Sequence, residues 1–101
     1  MKVELETSPT GFRYISVMMP VDWRNASDEA RKIFALLGAE SIMPVADEDA
    51  VSVDTKWWNF TVGSGCFRIV YDEWPSGLSI EPRDDRSASL LPDLMRILSG
   101  G

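Results

Sequence analysis

Two groups of carboxylates and one pair of tryptophans are the residues of this chain best suited to chemistry or recognition. The first group is Asp47, Glu48 and Asp49, with Asp54 close behind. Oxygen ligands so spaced invite comparison with a calcium loop. An EF-hand loop, however, takes oxygens at alternate positions, glycine at the sixth and glutamate at the twelfth. Counted from Asp47, those two positions hold Ser52 and Trp58. The match fails, and the run reads as a solvated acidic loop. The second group is Asp72 and Glu73, beside Trp74, with Glu81 further on. A carboxylate pair flanking an aromatic platform is the equipment of glycoside hydrolysis, but a domain of this size offers little depth for a sugar cleft.

The chain has no histidine and one cysteine. The usual general base near neutral pH and the commonest transition-metal ligand are therefore missing. Histidine triads and zinc sites built on histidine or several cysteines are excluded. Cys66 has no histidine to activate it and reads as a structural thiol. Gly63-Ser64-Gly65 lacks the further glycine, the lysine and the strand-to-helix setting of a phosphate loop. The composition points to no catalytic residue, no cofactor and no metal.

Recognition is the better use of what remains. From Glu40 to Asp54 there are five acids and no base. Such a patch favours a lysine- or arginine-rich partner surface and speeds encounter with it. Trp57 and Trp58 are adjacent, so in a regular strand they point to opposite faces. One enters a helix-covered core; the other lies on the open face or under a second covering element. A tryptophan beside acids is the kind of anchor that interfaces favour. The expected partner-binding residues are Glu40, Asp47, Glu48, Asp49, Asp54, Trp57, Trp58, Asp72 and Glu73.

The elements that must position these residues are legible from periodicity. Val3-Glu4-Leu5-Glu6-Thr7 alternates apolar and acidic, as a strand with one wet face does. Ser8-Pro9-Thr10-Gly11 is a turn cluster, and Phe12 to Met19 a second strand. Ser27 is placed to cap a helix over 28–37, in which Ala30, Ile33, Phe34 and Leu37 form one apolar stripe. Gly38 is its expected stop. A short strand around Ser41-Ile42-Met43 follows. Three strands within 51–81 then form an antiparallel meander, with Gly63-Ser64-Gly65 as a three-residue connection. A closing helix carries Leu90, Leu91, Leu94, Met95 and Leu98, with Pro92 confined to its first turn and its cap near Ser89 or Ser87.

The order β-β-α-β-β-β-β-α predicts an α+β fold: an antiparallel sheet with two helices packed on one face. At 101 residues the chain is expected to be a single domain over 1–101. Its formal charge of −6 repels a phosphate backbone, which argues against nucleic acid. No apolar run approaches the roughly 18 residues of a membrane span. Glu4 and Glu6 stand where a signal peptide needs an apolar core. One cysteine makes no internal disulfide. Together these predict a cytoplasmic protein with no membrane partner.

Trp57-Trp58-x-Phe60, a glycine turn, Phe67-x-Ile69-x-Tyr71, Leu78-x-Ile80-Glu81 and a leucine-rich terminal helix form a pattern over about residues 51–98. It resembles a family of small acidic bacterial proteins of this length, and the diverse immunity proteins that neutralise polymorphic toxins. The resemblance implies a cytoplasmic α+β domain that acts by occupying a partner, with no chemistry of its own. Its acidic surface would meet a basic protein surface. The alternative is a secretion-chaperone-like or self-associating protein, whose sheet edge or open face pairs with a client peptide or with itself.

Overall fold

The opening alternation of valine, leucine and two glutamates forms a strand, and five more follow it. A computed structural model describes residues 2–44, 55–73 and 76–100. Strands β1 (Val3–Thr7) and β2 (Arg13–Val17) make the first hairpin, and helix α1 (Ala26–Leu37) comes next. Then come β3 (Glu40–Pro44), β4 (Thr55–Val62), β5 (Gly65–Glu73) and β6 (Ser76–Pro82), and the chain closes with helices α2 (Asp85–Ala88) and α3 (Leu91–Gly100). The strands form one antiparallel sheet in the order β1-β2-β6-β5-β4-β3. The fold is α+β, with the helices against one face of the sheet. Because β2 and β3 lie on opposite sides of the meander, α1 carries the chain across that face.

Alternation decides what each face receives. Ile15, Phe60, Phe67, Ile69, Tyr71, Leu78 and Ile80 point to the helices and are buried with Ala26, Ala30, Ile33, Phe34 and Leu37 of α1 and Leu91, Leu94 and Leu98 of α3. The rings of Phe34, Phe60 and Phe67 run through this core, with centroids 5.1 Å and then 5.8 Å apart. Enclosing one such phenyl group contributes about 1.5–3 kcal/mol.

Three local details differ from the periodicity reading. Helix α1 begins at Ala26, one residue before the expected cap at Ser27, because Asp22 and Asn25 organise its entry. Asp22 Oδ1 accepts the N–H groups of Arg24 and Asn25 at 2.8 and 2.9 Å, and Asn25 Oδ1 accepts that of Asp22 at 2.8 Å. The closing helix is two pieces: Asp84 caps α2 by accepting the N–H of Ser87 at 2.7 Å, and Pro92 sits in the first turn of a separate α3. The β4–β5 connection is shorter than the expected Gly63-Ser64-Gly65, because Gly65 is already paired with Val62. Gly63, at φ +57, supplies the positive φ of the turn.

Candidate functional site

The face of the sheet away from the helices is built by the other half of each strand. It presents Glu4 and Glu6 from β1, Tyr14 and Ser16 from β2, Ser79 and Glu81 from β6, Cys66, Arg68, Val70 and Asp72 from β5, and Trp57, Asn59 and Thr61 from β4. None of the described helices covers it.

A polar row crosses this face where the strands come into register. Tyr14 Oη donates to Glu6 Oε2 at 3.0 Å, and Arg68 Nη2 donates to Glu81 Oε1 at 2.8 Å. The acceptor carboxylate of Glu6, burial and the nearby Glu81 raise the Tyr14 pKa above its ordinary value of 10.0. On the other side of Glu81 the Arg68 guanidinium lies over the Trp57 ring, 4.6 Å from its centre. Val70 faces Trp57 across the ladder and is only 5% exposed although no described helix lies above it. The Nε1 of Trp57 and the Nε of Arg68 are buried with no acceptor among the described residues. Phe12, at 45%, and Met18, at 46%, add exposed apolar surface at the two ends of β2.

The two sides of the molecule differ in charge. On the helix side three helical acids each meet a base one turn on: Asp28 with Arg31, Glu29 with Lys32, and Asp93 with Arg96, at 3.0–3.1 Å. Asp22, Asp84 and Asp85 there are balanced in number by Arg24, Arg83 and Arg86. The open face holds the carboxylates of Glu4, Glu6, Asp72 and Glu81, and of Glu40 opposite Thr61 at the β3 edge, against the guanidinium of Arg68 and, at its margin, Lys2.

The expected partner-binding residues divide accordingly. Trp57 is on the open face, and Asp72 lies two residues beyond Val70, Trp57's cross-strand partner, on the same side. Glu40 is exposed at the start of β3, opposite Thr61, at the far end of β4. Trp58 points the other way and packs, partly buried, against the helix-covered core. Its bulk therefore serves the core rather than the open face. Glu73 closes β5, and its side chain is outside the description. Asp47, Glu48, Asp49 and Asp54 lie outside the described residues. Sequence reasoning missed Glu4, Glu6, Tyr14, Arg68 and Glu81 as members of one surface. The alternation of β1 was a signal for the first two; the others depend on which strands become neighbours.

No protein-family model, curated protein or solved structure matches the chain. No helix among the described residues is long and apolar enough to cross a membrane.

Proposed function

We propose that this chain is a non-enzymatic protein-binding domain that lays its open sheet face on a basic surface of a partner protein, in the manner of an immunity-type inhibitor working in the cytoplasm. The observation that carries this reading is the separation of charge. Acids and bases balance on the helix side, whereas carboxylates predominate on the face that carries Trp57 and that no described helix covers. A negative field on one side orients an approaching cation-rich surface and raises the association rate. A half-buried indole on the same face supplies the apolar anchor that charge alone lacks. The helix side offers no such bias, since Asp28, Glu29 and Asp93 are taken up in local ion pairs and Asp22, Asp84 and Asp85 are matched in number by arginines.

The test is a partner recovered by affinity capture from the native cytoplasm, followed by binding kinetics with two variant sets. Trp57→Ala and the pair Glu4→Gln with Asp72→Asn alter the open face; Asp28→Asn with Asp93→Asn alters the helix side by the same charge. The open-face variants are expected to weaken binding about tenfold or more. The charge pair should also slow association and flatten its salt dependence. Equal sensitivity to the helix-side pair, or indifference to both open-face changes, would overturn the proposal.

A further inference from the structure

The sheet has two edges, β1 and β3, and they are not equivalent. The β3 edge is blunted. Its register with β4 shifts between Glu40 and Met43, Ser41 takes φ +53, and Pro44 has no N–H to offer. The β1 edge is regular, with five consecutive residues in unbroken register with β2.

The phase of the β1 ladder is fixed at both ends. The Met18 N–H donates to the Lys2 carbonyl at 2.9 Å, and the Ser8 N–H donates to the Phe12 carbonyl at 2.8 Å. In an antiparallel pair, residues that exchange bonds alternate with residues that turn both backbone groups away. Lys2, Glu4, Glu6 and Ser8 therefore bond to β2, and Val3, Leu5 and Thr7 direct their N–H and C=O groups outward. On the two sides of this edge the chemistry differs. Val3 and Leu5 face the helix layer, packed against the core, where α3 approaches β1. Glu4 and Glu6 face the open side, next to the Tyr14–Glu81 row.

From this we infer that the β1 edge is a strand-addition site for an extended segment in which lysine or arginine alternates with apolar residues. The incoming backbone completes the outward bonds of Val3, Leu5 and Thr7. Its cations lie beside Glu4 and Glu6, and its apolar side chains extend the layer begun by Val3 and Leu5. A second copy of this chain is the poorer occupant: two β1 strands paired about a two-fold axis through Leu5 would set Glu4 against Glu6 twice, and like charges directly opposite are destabilising. The same glutamates that guard the edge against self-pairing admit a strand of opposite charge. The inference rests on the open-face reading, because it gives the basic partner of that reading an extended segment.

The test uses the whole chain and a short acetylated peptide of alternating lysine and valine, followed by NMR amide exchange. In the free protein the Val3, Leu5 and Thr7 amides should exchange fast and those of Glu4 and Glu6 slowly; the peptide should protect the fast set. A glutamate–valine peptide, or a lysine–valine peptide N-methylated at alternate amides, should fail to bind. Thr7→Pro removes one outward donor at an exposed position and leaves the bonds to β2 intact, so it should weaken peptide binding about tenfold. Protection of Val3 and Leu5 in the free monomer, protection that grows with protein concentration alone, or full binding by the N-methylated peptide would each overturn the inference. If the captured partner loses affinity with Trp57→Ala but not with Thr7→Pro, strand addition falls and the open-face reading stands. Indifference to both removes the two together.

Discussion

The Arg68 guanidinium is stacked over the Trp57 ring at 4.6 Å from its centre, diagonally across the β4–β5 ladder. The same guanidinium donates to Glu81 at 2.8 Å, so one side chain ties three strands together on the open face. Arginine suits this because its flat, delocalised cation can stack and hydrogen-bond at once. The ion pair is partly shielded, with the two side chains 33% and 21% exposed.

Replacing Arg68 by methionine removes the stacking cation and leaves Glu81 without that donor. Cation–π stacking is worth about 0.5–1 kcal/mol at such a site and a partly exposed ion pair up to about 1 kcal/mol. The expected loss is about 1–2 kcal/mol in urea unfolding. A double-mutant cycle with Glu81→Gln should return a coupling of about 0.5–1 kcal/mol. Zero coupling would show that the contact orients the groups without stabilising the sheet.

Tyr71 is completely buried, and its hydroxyl has no hydrogen-bond partner among the described residues. Its ring meets Trp23 edge-on at 6.0 Å, a contact that phenylalanine keeps. Burying an unpartnered hydroxyl costs about 1–3 kcal/mol. Tyr71→Phe is therefore expected to leave stability unchanged or to raise it by about 1 kcal/mol. A drop in the urea midpoint would reveal a partner for the hydroxyl.

Ser87 ties helix α2 to strand β5 through a single oxygen. The Ser87 Oγ is fully buried and accepts the N–H of Cys66 at 2.7 Å. Ser87→Ala would orphan that amide, and the expected cost is about 1–3 kcal/mol. Its hydroxyl and its own backbone N–H also hold the Asp84 carboxyl below the usual 3.8. A carboxylate whose pKa falls on folding stabilises the native state above its unfolded pKa, and that contribution is lost as pH falls through the folded value. Asp84→Asn should therefore flatten stability against pH below about 4 and leave that slope unchanged at neutral pH. An undiminished acid slope in Asp84→Asn would assign it to other carboxylates.

Local patterning carried most of the architecture. Ala30, Ile33, Phe34 and Leu37 repeat at helical spacing and end at Gly38, whose φ of +65 closes α1. Phe67, Ile69 and Tyr71 alternate, and all three are buried. Long-range register was hidden, because Phe12–Val17 and Leu78–Glu81 alternate in the same way and neither names its neighbour. Only the pairing of Ile15 with Ile80 brings Tyr14 beside Glu81 and so assembles the polar row. The adjacency of Trp57 and Trp58 did foretell opposite faces. Which indole took which face required the partners Val70 and Ile69.

Gly65 shows why a reading based on turns misplaced the start of β5. Its conformation needs no glycine, but its surroundings do: a Cβ there would stand 2.6 Å from the Phe67 ring and 2.8 Å from Leu90. Phe67 is fully buried, with its ring stacked 5.8 Å from that of Phe60. Gly65→Ala is expected to cost about 1–3 kcal/mol through overpacking. Gly77→Ala is the control, since nothing lies within 4 Å of the Cβ it would add. That variant should stay within about 0.5 kcal/mol of the parent chain. Trimming Leu90 to alanine in the Gly65→Ala background should recover part of the loss, because one of the two obstructing groups is then gone. Equal stabilities for the two glycine variants would show that Phe67 and Leu90 have room to yield.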